Sequence, residues 1–305
     1  MNSNTKAVLR LLIYLIAVGL VACLLSPWMF HLGSWLASTG VIPFLDGFPF
    51  HRYFSRTVQI SALVLLIPAF LWIGISRFSQ LNIEPNPRRW RDLGTGFGLA
   101  LGPVILLAIA YVAFEIYRLR ENPAPATFFR ILGTAAAVSV LEEFLFRCVI
   151  FGLLLRAMSV WPAAMISSFV FAIVHFMRVA RPPQTPPVTW TSGFEQIPLL
   201  FSASPPWPLL GWGMLSLLIA GLLLAFVTYR TKSLYLAIGI HAGWILGQQS
   251  LQWLARFSVK PPDSLLPWIG PNVVSGAVPT GLISALVLTL TAALVFLAVR
   301  RREVR

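Results

Sequence analysis

The sequence predicts an all-α protein, a polytopic membrane bundle of about eight transmembrane helices, on three observations. Apolar residues make up 57% of the 305, charged residues only 11%, and mean hydropathy is +0.80. Soluble domains carry about 25% charged residues, so a disordered chain and an ordinary cytosolic enzyme are both excluded. Apolar runs close to the roughly 20 residues that a helix needs to cross the hydrocarbon core recur along the whole chain. Between them stand Pro-rich clusters, which cannot continue a helix.

Eight spans follow, at about 7–29, 57–75, 93–117, 127–155, 160–177, 209–229, 233–250 and 280–299. The breakers are "NIEPNPRRWRD" before the third, "RENPAPA" before the fourth, and "RPPQTPPVTW" through "SPPWP" between the fifth and sixth. The aromatic, Pro-containing stretch 31–56 is expected at the interface rather than across it. Lys6 and Arg10 ahead of an apolar run ending "LVAC" at Cys23 resemble a lipoprotein signal. The run continues through "LLSPWMF", so it is read as the first span. No internal repeat or soluble domain is visible, and residues 1–305 read as one integral-membrane domain.

The net charge of +13 suggests nucleic acid at first sight. The basic residues, however, are spread through short connections, where they orient a membrane protein against anionic lipid. With the N-terminus inside, thirteen Lys and Arg fall in inner segments against eight in outer loops. Both termini are therefore expected in the cytoplasm, with the bilayer as partner and no nucleic acid. Cys23 and Cys148 lie inside apolar runs, so no disulfide framework is expected.

Charge inside the spans carries the functional signal. An ionisable group at mid-membrane costs at least about 2.5–3.5 kcal/mol on insertion scales. Most charges avoid that position, but Glu142, Glu143 and Arg147 sit in the fourth span, His175 near the end of the fifth and His241 within the seventh. Glu143 and Arg147 are four residues apart, on one helix face, and can pair. Glu142 is turned about 100° from Glu143 and faces a neighbouring sector. Phe171 and His175 are also four apart, so the ring stands one turn from the imidazole. Gly239 and Gly243 flank His241 and admit a close neighbour, helix or substrate. A Glu–Arg pair can simply fasten two helices, and a lone His can bond a carbonyl. Five such groups on three helices point instead to a built polar pocket.

A carboxylate with two imidazoles can activate water as a base with polarising partners. The same three groups, Glu142, His175 and His241, can equally hold zinc with a position open for water. No HExxH is present, and Ser139, Ser167 and Ser168 lack the strand–turn–helix context of a nucleophile elbow. "GTGFG" at 94–98 opens a membrane helix with no preceding strand, so nucleotide binding has no support. A proton-relay transporter would show matching broken helices in two halves, and none is visible.

These residues resemble a known pattern. "LEEFLFR" is similar to the EExxxR motif of the CPBP intramembrane protease family, which holds the CAAX prenyl endopeptidases and the bacteriocin-processing or self-immunity (ABI) proteins. "FAIVH" resembles its FxxxH motif and "HAGWI" its HxxxN motif, in the family's order, over a catalytic core of about residues 90–250. The resemblance implies a prokaryotic plasma-membrane endopeptidase of CAAX type, acting on a membrane-embedded or lipidated peptide. By motif position Glu142 activates water, Glu143 supports it and is held by Arg147, His175 orients or deprotonates the water, and His241 stabilises the oxyanion. Whether the mechanism is metallo- or metal-free glutamic, the motifs leave open. One position departs from the family: Ile245 stands where the third motif has Asn. An Ile donates nothing, and losing one oxyanion donor typically costs about 10²–10³ in rate. Gln248, seven residues after His241, is the expected substitute. The alternative is a catalytically weakened or inactive immunity or interaction protein of the same fold.

Overall fold

The computed structural model describes residues 3–177, 179–180, 187–204, 207–258, 273–274, 278–279 and 282–303. The helices are α1 (Ser3–Ser38), α2 (Phe50–Ile73), α3 (Arg89–Ala113), α4 (Ala126–Glu143), α5 (Gly152–Leu155), α6 (Val160–Phe176), α7 (Ser192–Glu195), α8 (Trp207–Thr231), α9 (Tyr235–Leu254) and α10 (Leu282–Glu303). Between α4 and α5 the chain stays helical through a π-type segment, Phe144–Phe151. Strands are confined to two small antiparallel pairs, β1 (Tyr117–Leu119) with β2 (Ala255–Phe257) and β3 (Val273–Val274) with β4 (Val278–Pro279). The protein is all-α, and each of the eight apolar spans overlaps a helix among the described residues.

The count of crossing helices differs from the expected eight. Among the described residues four are long and apolar enough to cross: Val8–Ser38, Phe50–Ile73, Arg89–Ala113 and Leu210–Thr231. The apolar helices Val160–Phe176 and Ile283–Val299 are shorter, while α4 and α9 contain the polar residues of the site. The stretch 31–56 also differs, because α1 runs on to Ser38 and α2 begins at Phe50. Nothing in "HLGSWLAS" breaks a helix. The break waits for Pro43 and Pro49, which bound the connection.

The chain packs as two compact units. The first comprises Met1–Ser76 and Phe176–Ser204. In it α1 and α2 are joined by Tyr14, whose hydroxyl donates to Ala62 O at 2.6 Å. Along α2 the buried face carries Thr57, Ser61 and Ala62, while Ile60, Val64, Ile67 and Leu71 are exposed. A water-soluble helix would be turned the other way; a helix facing lipid is expected to look like this. Gly74 ends α2 at φ 78°, a left-handed cap that glycine adopts without strain.

The second unit comprises Arg77–His175 and Pro205–Arg305 and holds the polar helices. Asn86 sets its register: the side-chain amide donates to Asp92 Oδ2 and to Ser233 Oγ, each at 3.0 Å, tying the start of α3 to the turn before α9. Higher up, α3 and α9 cross at backbone distance. A side chain at Gly239 would strike Leu93 O, and one at Gly243 would meet Phe97 O at 2.6 Å. A stripe of glycines four residues apart is what lets two membrane helices close in this way. The close neighbour of Gly239 and Gly243 is thus a helix. Around the crossing, Ala100, Leu224, Val227, Leu236, Ile240 and Val295 form a buried apolar core that includes α8 and α10. It fixes the height at which His241 stands.

Candidate active site

α4 ends on the two acids, and the π segment begins at the next residue. A π segment leaves carbonyls out of the ordinary ladder, and such segments are frequent at functional sites. One is answered from outside, since Ser167 of α6 donates its hydroxyl to Phe146 O at 3.0 Å. Ser167, Phe171 and His175 follow at four-residue spacing, so one stripe of α6 runs along the segment. The Phe171 ring meets Phe146 edge-on at 5.2 Å, lies against the His175 ring at 4.4 Å and stands edge-on to His241 at 5.9 Å. The Arg147 guanidinium lies over the same ring at 4.6 Å. Phe171 is thus a shared wall for both imidazoles and the arginine, buried at 2% exposure.

The two acids face different partners, as their 100° separation requires. Glu143 is completely buried, and its Oε2 is 3.3 Å from Arg147 Nε, itself completely buried. Its Oε1 accepts from His241 Nδ1 at 2.8 Å. Glu142 is 28% exposed, and its Oε2 lies 3.6 Å from His175 Nε2 and 3.8 Å from His241 Nε2. His175 Nδ1 is 2.7 Å from Phe171 O, and beside a carbonyl that nitrogen must be the donor. Both rings are therefore tethered at Nδ1 by an acceptor, and both present Nε2 to one carboxylate oxygen. Those separations are too long for direct hydrogen bonds, and a water bonded to Glu142 and His175 would stand to one side of the line between them. Glu142 Oε2 has no hydrogen-bond partner among the described residues.

Glu142, Glu143, Arg147, Phe171, His175 and His241 are therefore brought together. Gln248 is not. It lies two turns up α9, about 10 Å from His241 along the axis. It is buried, and its Nε2 has no hydrogen-bond partner among the described residues. Ile245 packs in an apolar seam with Ile131 and Ala135 of α4. A buried donor without a partner costs about 1–3 kcal/mol, which yields a prediction. Gln248→Met, close in shape, should raise the melting temperature in detergent and leave turnover unchanged. A fall in turnover with stability unaltered would return Gln248 to the reaction path. Sequence reasoning missed Phe146 and Ser167 as parts of the site. The spacing of Ser167 from Phe171 and His175 was the available signal.

A zinc site with an open position needs three protein ligands directed at one point. Among the described residues no group of three or more His, Cys, Asp or Glu is arranged to hold a metal ion.

Residues 124–246 match the family model of the type II CAAX prenyl endopeptidase Rce1-like proteins. All three motifs lie within that stretch, and the match bears out the resemblance to the CPBP family. No curated protein and no solved structure matches the chain.

Proposed function

We propose, taking residues 124–246 as a region of CAAX-endopeptidase type, that the protein is an intramembrane endopeptidase hydrolysing a peptide bond of a membrane-associated or prenylated substrate. The observation that carries this reading is the convergence of both Nε2 atoms on the unpartnered Oε2 of Glu142. A water admitted beside these atoms with the substrate donates one hydrogen bond to Glu142 and another to His175 Nε2, whose lone pair is free because Nδ1 carries the proton. Glu142 takes the proton as the water attacks the carbonyl carbon, and returns it to the leaving amine. With His241 doubly protonated before the attack, its Nδ1–H held by the Glu143 carboxylate, the Nε2–H is there to donate to the oxyanion as it forms. Arg147 holds Glu143, and Phe171 holds both imidazoles and the guanidinium in place. With Ile at 245, the side-chain donation to the oxyanion rests on His241.

Purified protein in bilayers should release the C-terminal fragment of a tethered prenylated peptide, with one water added per cleavage by mass spectrometry. In this scheme Glu142 and His175 activate the water without a metal ion, so the rate should survive exhaustive dialysis against a chelator. Loss on dialysis with recovery on zinc would replace this water-activation scheme with a metal one. Absence of cleavage in wild type, with cleavage appearing in Ile245→Asn, would favour the inactive-relative reading.

A further inference from the structure

An apolar groove of about 610 Å³ runs along the second unit between α3 and α9. Leu101, Ile105 and Ile109 line it from α3, Leu246 and Leu251 from α9, and Leu119 from β1. Along α3 the lining runs from Leu101, the midpoint of the helix, to Ala113, its last residue. That is about 18 Å of helix, against about 15 Å for half of a 30 Å hydrocarbon core. With α3 crossing the bilayer and its midpoint taken at the centre, the groove is one leaflet long. A transmembrane helix of a partner would need the full thickness. An acyl chain of one leaflet needs this length.

The mouth of the groove carries the second observation. There β1 and β2 pair with Arg118 directly opposite Arg256. Both are exposed, and among the described residues neither forms an ion pair with a carboxylate. Arg120 follows, its backbone N–H bonded to Leu254 O at 2.8 Å. Like charges set directly across two strands repel and destabilise the pairing. An anion lying over both removes that cost. Alternation along the strand puts Leu119 toward the groove and the arginines on the other ribbon face, at headgroup level.

We propose that this groove binds an anionic phospholipid, with one acyl chain between α3 and α9 and its phosphate held at Arg118 and Arg256. A phospholipid supplies both an apolar chain of one-leaflet length and an anion at the surface. The site is separate from the acid and imidazole cluster and does not depend on the protein being a protease.

The test is native mass spectrometry of the full-length protein, titrated with dioleoyl phosphatidylglycerol or dioleoyl phosphatidylcholine. Two arginines at the headgroup should make the anionic lipid bind at a concentration on the order of tenfold lower. Arg118→Gln with Arg256→Gln should abolish that preference, and Ala108→Phe, which fills the groove, should weaken retention of both lipids. Should the double variant fail to fold, each single variant should halve the preference on a logarithmic scale. Equal retention of the two lipids by wild type overturns the proposal. So does an unchanged preference in the arginine variants, or unchanged retention in Ala108→Phe.

Discussion

Glu142→Gln should lower the hydrolytic rate by about 10²–10⁴, the range that a positioned general base contributes. The amide keeps the shape of the carboxylate but cannot accept the proton of an attacking water. The fold should barely notice. Glu142 is 28% exposed, its Oε2 has no hydrogen-bond partner among the described residues, and its nearest imidazole nitrogens are 3.6 and 3.8 Å away. Substrate capture should persist, so the loss should fall on kcat rather than KM. The control is Glu143→Gln, whose carboxylate is wholly buried and holds both Arg147 and His241. That variant should lose rate and melting temperature together. If Glu142→Gln keeps its rate within a few-fold while Glu143→Gln abolishes it, then Glu143 is the base and Glu142 its support.

That division of labour was half legible in the sequence. Residues sharing a helix can be placed by counting. Four-residue spacing puts Arg147 under Glu143 and Phe171 beside His175, and the 100° step sends Glu142 elsewhere. Counting cannot pair residues on different helices. The bond from His241 to Glu143 joins positions 98 apart. It depends on the glycines that let α9 sink onto α3, of which only the small size was visible. Gln248 illustrates the same limit. Seven residues return nearly to the same face but also climb about 10 Å along the axis, and a face is not a position. The π segment left no trace in the residue pattern, because its apolar residues suit an α-helix equally well. The start of α2 was displaced because the aromatic, Pro-containing stretch 31–56 was read as interfacial. His51, Arg52 and Arg56 lie inside α2, since polar side chains on its first turns can reach water without ending the helix.

Arg147→Ala should cost about 3–5 kcal/mol of stability, the usual consequence of removing one partner from a buried ion pair. It should appear as a clear drop in melting temperature in detergent. Glu143 would be left with His241 alone, in a place with no exposure to solvent. The size of that loss would not mean that the pair stabilises the fold by the same amount. The ion pair at 3.3 Å is not aligned as a hydrogen bond, and the Nη1 and Nη2 groups of Arg147 are buried with no hydrogen-bond partner among the described residues. Its guanidinium rests on the Phe171 ring instead, at 4.6 Å. Desolvating those donors offsets most of what the pair contributes. Replacing both charges with apolar side chains of similar volume is often neutral or stabilising. Glu143→Met with Arg147→Met should therefore recover most of the stability that Arg147→Ala loses. It should not recover hydrolysis, because His241 Nδ1 then has no carboxylate to orient it or to stabilise positive charge on its ring. A stable but inactive double variant would mean that the pair is kept for the imidazole it holds. An unchanged melting temperature in Arg147→Ala would show instead that the ion pair does not matter to the fold.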